Sequence, residues 1–212
     1  MLGIHDFWLF VTAGVLLNLT PGPDTLYIVG RSIAQGRRAG VLSVLGISTG
    51  VLVHTAAAAI GLSALLASSA AAFTVVRYAG AAYLVYLGLR LLMSRGDDPQ
   101  IASAADAGAA ETRDPWTVYR QGVLTNVLNP KVALFFLAFL PQFVDPSSPH
   151  RTAAFLTLGL VFVLSGTTWC LVVACFAAAA SRRLRERRTT GKWLNRLSGG
   201  LFIGLGVRVA RG

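Results

Sequence analysis

Charge is scarce in this chain of 212 residues, at 13% Asp, Glu, Lys and Arg, where soluble domains carry about a quarter. Hydrophobic residues make up 54%, and the mean hydropathy is +0.62. Those values exclude a disordered chain. The apolar residues fall in long blocks with the charges between them, which argues against an ordinary soluble domain and for the membrane class. Cysteine is scarcer still, with only Cys170 and Cys175. Five positions apart on a helix, they point about 140° from each other. They cannot bridge within that helix and match no metal or redox spacing, so they read as small buried hydrophobes. The three histidines, His5, His54 and His150, form no H-E-x-x-H pattern, and there is no C-x-x-C. With no readable serine–histidine arrangement, a membrane enzyme is disfavoured, and neither cofactor nor metal is expected.

Acidic residues are few, nine against 19 basic ones, for a net charge of +10. That sum would suit a nucleic-acid binder, but the positives lie at the ends of apolar blocks, five of them between Arg182 and Arg188. No basic face is left over for a groove, so the expected partner is the lipid bilayer and not nucleic acid. Met1 to Asp6 contains no Lys or Arg, and no small-x-small cleavage site follows. The first apolar block is therefore expected to be a retained span and not a signal peptide.

Six blocks approach the roughly 20 helical residues that cross about 30 Å of hydrocarbon. They are Phe7–Val29, Val41–Leu66, Ala70–Met93, Gln121–Phe143, Ala153–Ala180 and Trp193–Ala210. Their continuity favours helices over the alternating strands of a barrel. Of the basic residues outside span cores, 14 lie on one side, counting Arg31, Arg37, Arg38, Arg90, Arg95, Arg113, Arg120 and the Arg182–Arg196 segment, and four on the other. The rich side is expected to be cytoplasmic, with both termini periplasmic. Ser94 to Pro115 is acidic and rich in Ala and Ser, which suits a flexible cytoplasmic linker. The expected plan is an all-α integral membrane protein: a three-helix repeat over residues 1–93, a linker over 94–116 and a second, inverted three-helix repeat over 117–212.

The first span of each half contains a proline break. The first reads Asn18-Leu19-Thr20-Pro21-Gly22-Pro23-Asp24 and the second Asn126-Val127-Leu128-Asn129-Pro130-Lys131. Pro21 and Pro23 lack the amides that would bond the carbonyls of Leu17 and Leu19, and Pro130 leaves that of Asn126. Free carbonyls in lipid cost several kcal/mol each, so these segments should face protein or a water-filled cavity. Pro21 lies ten residues before Arg31, and Pro130 ten residues after Arg120. Both are thus expected about 15 Å from the cytoplasmic interface. The half-helices that begin after Pro23 and at Pro130 would offer their N-termini to a carboxylate. Asp24 and Lys131 are the acid and base deep within these spans, and intramembrane ionisable residues are functional by default. A structural ion pair between them remains open. His54 either relays protons or bonds a neighbouring helix. Gly46 and Gly50 are spaced for close helix packing, and the hydroxyls of Ser165, Thr167 and Thr168 for bonding to their own backbone.

"LTPGPDTLYIVGRSIAQGRRAG", running on to "GISTG", and "NVLNPKVALFFLAFLPQFV" resemble the two signatures of the LysE/RhtB family of amino-acid exporters. "RYAGAAYLVYLGLRLL" and "LSGGLFIGLGVRVA" are similar to its third and last spans. The resemblance implies export of amino acids or related metabolites across the bacterial inner membrane, driven by proton antiport. Its functional residues fall on Pro21, Gly22, Pro23, Asp24, Asn129, Pro130 and Lys131, to which the reading of the breaks adds Thr20, Asn126 and His54 as pathway residues. A homodimer stays open, as do export of another solute or a metal cation, a channel, and a non-transporting subunit.

Overall fold

In the computed structural model each proline break ends one helix and starts another. The structure describes residues 2–64 and 114–179, with eight separate positions between 71 and 89. Most of the expected third span, the linker through Arg113, the Arg182–Arg188 run and the expected sixth span lie outside the described residues.

Helix α1 (Phe7–Leu19) stops at Thr20, which is extended at φ −69°, ψ 120° because a following proline disfavours helical backbone. Helix α2 (Pro23–Gln35) opens on Pro23, where a missing amide costs nothing. Gly36, at φ +83°, ends α2 and turns the chain into α3 (Arg37–Ala57), which continues through a π-helical turn, Ala58–Leu62. Helix α4 (Pro115–Val127) is capped by Asp114, whose carboxylate accepts from the amides of Thr117 at 2.9 Å and Trp116 at 3.3 Å. The bonds from Thr117 hold the Asp114 carboxyl below its usual range. Helix α5 (Pro130–Leu134) runs on as a π-helical turn, Phe135–Phe139, and a 3-10 turn, Leu140–Phe143. Helix α6 (Arg151–Ala179) completes the described set.

The fold is all-helical among the described residues, apart from a single bridge between Ile4 and Val144. Residues Arg37–Leu62 (26 residues) and Arg151–Ala179 (29 residues) are long and apolar enough to cross a membrane, and α4 with α5 forms a third candidate span bent by 47° at its break. The two broken helices run in opposite directions. The start of α1 meets the end of the α5 segment through His5 N donating to Phe143 O (3.0 Å) and Asp145 N to Gly3 O (2.8 Å). The end of α2 meets the start of α4, where the Tyr27 hydroxyl donates to Val118 O at 2.7 Å.

Two boundaries and one placement differ from expectation. The first broken helix extends to Gln35 and not Val29, the second begins at Pro115 and not Gln121, and Arg31 lies inside α2 instead of in a loop. Arg31 is fully buried because its guanidinium donates to Gln121 Oε1 and stacks 5.5 Å from the Tyr27 ring. The half-helices α1, α2 and α4 are each 13 residues long. Each break therefore sits about 20 Å from the helix ends rather than 15 Å from an Arg-marked interface. Trp8 and Trp116, each the second residue of its half-helix, are exposed at opposite ends, as interfacial anchors are.

Small residues set the closest helix pair. A Cβ at Gly46 would strike the backbone carbonyl of Tyr119 on α4 and stand 3.1 Å from Gly122 Cα, and one at Gly50 would stand 2.7 Å from Asn126 Oδ1. Gly46 and Gly50 thus bring α3 onto α4, as their spacing predicts. A core of Phe10, Phe135, Phe136, Phe139, Phe143, Phe155 and Phe162 fills the end near the start of α1, and a smaller cluster of Tyr27, Ile28, Val44, Ile47 and Ala174 fills the other.

Gly46→Val is expected to cost about 1–3 kcal/mol, since a carbonyl fixed in a helix cannot yield to the new atoms. Gly61→Val, where a Cβ meets nothing within 4 Å, should be near neutral. Thermal melting of the purified variants side by side checks the contrast.

Candidate functional site

The two breaks face each other at mid-height, and each supplies what the other lacks. The carbonyl of Leu17, deprived by Pro21 of its usual partner four residues on, accepts from the Thr20 amide at 3.2 Å and from Lys131 Nζ at 3.2 Å, and the Thr20 carbonyl accepts from the same ammonium at 2.9 Å. Lys131 stands in the first turn of α5, where a helix N-terminus disfavours a cation, but its side chain reaches the C-terminal carbonyls of α1, where a cation is favoured. Gly22 makes the reach possible: its backbone is extended and any residue could adopt it, but a Cβ there would stand 3.3 Å from Nζ and 3.6 Å from Cε.

The carbonyl of Asn126, deprived by Pro130, accepts from the Asn129 amide at 2.9 Å and from His54 Nε2 at 3.2 Å. A carbonyl only accepts, so Nε2 carries a proton. His54 also stacks on Phe136, ring centroids 5.9 Å apart. Of its two expected roles, the bond to a neighbouring helix is the one seen.

Asp24, in the first turn of α2, has its carboxylate Oδ2 bonded by Asn126 Nδ2 at 2.8 Å. Asp24 and Lys131 make no ion pair with each other among the described residues, although each feels the other's charge. Asn129 caps α5 by accepting the Lys131 amide at 3.0 Å.

Between the breaks lies a cavity of ≈ 30 Å³ lined by Leu17, Asn18, Asp24, Thr25, Ile47, Ser48, Val51, Asn126, Lys131, Val132, Phe162, Val163, Gly166, Thr167 and Cys170. It has room for about two waters and not for an amino acid. Three buried side-chain atoms of its lining residues have no hydrogen-bond partner, Asn18 Nδ2, Asp24 Oδ1 and Asn126 Oδ1, while Asn129, outside the lining, turns its side-chain amide toward the Asp24 carboxyl. The amide orientations of Asn126 and Asn129 follow from chemistry, since the first must donate to a carboxylate and the second must accept from an N–H. Beside His54 lies a second, apolar space of ≈ 340 Å³, lined by His54, Ala57, Ala58, Gly61, Leu62, Ala133, Phe136 and Leu137.

Of the residues picked from sequence, Asp24, Asn126 and Lys131 line the midplane cavity and Thr20, Gly22 and Asn129 hold them in place, while Pro21, Pro23 and Pro130 create the breaks. His54 lines the apolar space instead. Sequence reasoning missed Asn18 as a cavity residue, although it opens the first motif. It also missed Thr167, whose hydroxyl bonds Ser48 across helices at 2.7 Å while Ser165 and Thr168 bond their own backbone as expected. No periodicity distinguishes the three hydroxyls. Cys170 lines the cavity as a free thiol.

Opposed broken helices around a small polar cavity, beside two helices of membrane-crossing length, fit the plan of a multi-pass membrane transporter. The chain belongs to the LysE type translocator family, which it matches over residues 15–212. It is 34% identical over 212 residues to an uncharacterized membrane protein of Pseudomonas aeruginosa, covering 99% of this chain and 96% of that one. It is 31% identical to the leucine efflux protein of Enterobacter sp. over 208 residues and 27% identical to that of Salmonella typhimurium over 209, in each case covering 98% of this chain and 96% of the relative. No solved structure matches it.

The Asp24–Asn126 bond predicts a coupling. Asn126→Ala should destabilise the protein by about 1.5–3 kcal/mol, the worth of a hydrogen bond to a charged group. In an Asp24→Ala background the same change should cost clearly less. A double-mutant cycle on melting temperature reads the difference.

Proposed function

We propose that this protein exports amino acids with aliphatic side chains from the cytoplasm by proton antiport, through a site between its two broken helices. The observation that carries the reading is the set of three unpartnered polar atoms on the cavity wall: two acceptors, Asp24 Oδ1 and Asn126 Oδ1, and one donor, Asn18 Nδ2. Buried polar groups are almost always paired, so three orphans in one place call for a ligand with complementary groups. An ammonium and a carboxylate on one carbon answer both halves of the set. The apolar space beside His54 offers room for an aliphatic side chain, and two of the relatives above are leucine efflux proteins.

The ≈ 30 Å³ cavity admits no amino acid as it stands, so transport requires the wall to open to one side and then the other. The phenylalanine core closes one side, and the Tyr27–Val118 and Arg31–Gln121 bonds close the other. Asp24, opposite Lys131 across the cavity, is the proposed proton carrier. One proton moving down ~150 mV supplies roughly 3.5 kcal/mol, enough for about a 300-fold gradient of a neutral solute.

The proposed setting is the bacterial inner membrane, with six spans in two inverted repeats of three and both termini in the periplasm. With Arg31 buried in α2 and removed from the count of 14, 13 basic residues remain on one side against four. Single cysteines at exposed Ser147 and Arg38, in a protein cleared of Cys170 and Cys175, test this. In intact cells an impermeant thiol reagent should label Ser147→Cys and spare Arg38→Cys, and the reverse pattern would invert the topology.

Export itself is tested in proteoliposomes by leucine counterflow and by leucine transport driven only by a pH gradient. The wild type should do both. Asp24→Asn should keep counterflow at a weakened leucine affinity, since the amide keeps the size and one acceptor but not the charge that faces the solute ammonium, and should lose uphill transport. Uphill transport by Asp24→Asn would make the carboxylate structural. Absence of leucine transport, with transport of another solute or a cation in its place, would redirect the substrate.

A further inference from the structure

The two carbonyls at the end of α1 form a cation site, and in the state described here the chain fills it with its own lysine. Leu17 O and Thr20 O converge on one ammonium, at 3.2 and 2.9 Å. Both belong to the C-terminal end of a helix, which carries partial negative charge. The carboxylate of Asp24 lines the same cavity with Oδ1 buried and unpartnered, so the surroundings are built for a cation beyond what the two carbonyls supply. The group that occupies the site is a primary ammonium on a flexible four-carbon stem, anchored on the opposite broken helix. With that stem in place the cavity measures ≈ 30 Å³. Gly22 leaves room beside the seat, since a Cβ there would stand 3.3 Å from Nζ and 3.6 Å from Cε.

We infer that Leu17 O and Thr20 O are the binding site for the α-ammonium of the exported solute, with the Asp24 carboxylate beyond ion-pair distance but on the same cavity wall, and that Lys131 is a tethered placeholder displaced by it. This rests on the exporter reading and adds the identity of the pole and its competitor. The chemistry matches: a primary ammonium presents three donors wherever it is attached. The placeholder has a physical use. An exporter must return without its solute, and an emptied seat would expose the Thr20 carbonyl unpaired and the Leu17 carbonyl with only its Thr20 amide to a low-dielectric interior. Lys131 pairs both carbonyls during that return. A solute ammonium entering the seat replaces one cation with another, and the freed lysine vacates the volume that the solute needs. The charged and titratable groups lining the cavity around the seat are Asp24, Lys131 and Cys170, and His54, on the neighbouring apolar space, lies within electrostatic reach of Asp24.

Removal of the placeholder should leave a hole of known shape. Lys131→Ala lacks three methylenes and the ammonium, which together are n-propylammonium. The probe is therefore n-propylammonium added to purified Lys131→Ala, with melting temperature as the readout. It should raise the melting temperature of the variant in a saturable way and leave the wild type unmoved, while n-propanol, of the same shape without the charge, should do nothing. Leucine should compete with the amine. Leucine should also bind the variant about tenfold more tightly than wild type if Lys131 holds the seat nine-tenths of the time. A folded variant indifferent to the amine, or a wild type that responds equally, overturns the assignment. Should the variant not fold, the wild type still decides. It contains two lysines, Lys131 and Lys192. With 15Nζ-labelled lysine, saturating leucine should shift the Lys131 resonance and leave Lys192 in place, and an unmoved Lys131 resonance rejects the placeholder. Amine rescue without leucine transport would sink the exporter reading alone. Leucine transport without amine rescue or a lysine shift would sink the placeholder alone.

Discussion

A backbone carbonyl without a partner inside a membrane costs several kcal/mol, and the described architecture follows from how this chain meets that cost. Its prolines create such carbonyls at mid-height in two helices. Two of them accept from a nearby amide and also from another helix: Leu17 O from Lys131 of α5, and Asn126 O from His54 of α3. The side chain of Asn126, in the last turn of α4, in turn bonds Asp24 in the first turn of α2. These bonds knit the two halves of the chain together at the point where both are broken. A rearrangement that opens the centre must therefore replace partners and not merely separate helices, and a solute that brings its own donors and acceptors can do so.

Packing divides the structure into a stiff part and an adaptable part. The contact of α3 with α4 is fixed by glycines that allow backbone against backbone, and a fixed α4 delivers Asn126 to Asp24 and to His54. Beyond the break the helices lose regularity. Helix α5 passes within nine residues from π-helical to 3-10 geometry, and α3 carries its own π-helical turn on the other side of the ≈ 340 Å³ space. Such irregular turns mark places where helices can change register at low cost. The two closures differ in kind as well. Stacked rings such as Phe135 on Phe162, centroids 4.8 Å apart, can slide, whereas the Tyr27 hydroxyl and the Arg31 guanidinium must exchange hydrogen bonds to part.

Much of this was legible before any coordinates. Apolar run length gave the membrane-crossing helices, because hydrocarbon thickness fixes how many residues a helix needs. Proline gave both breaks to within a residue, because a missing amide is a local fact. The carbonyls that would be orphaned, Leu17 and Asn126, follow from counting four residues back. Depth was read less well. The ten-residue offset to Arg31 assumed that an arginine marks an interface, and Arg31 instead lies buried against Tyr27 and Gln121 from another part of the chain.

Partnership was beyond the reach of sequence. That Asp24 bonds Asn126 and not Lys131, that Lys131 spends its donors on carbonyls, that Thr167 crosses to Ser48 while its neighbours bond their own turns, and that Asn18 lines the cavity all depend on which faces meet in space. Local chemistry determined where the chain must break and which groups would be left wanting partners, since covalent geometry and the thickness of the bilayer act residue by residue. Tertiary structure alone decided who those partners are, since a hydrogen bond is made within about 3 Å and the groups that came within it were some hundred residues apart in the chain.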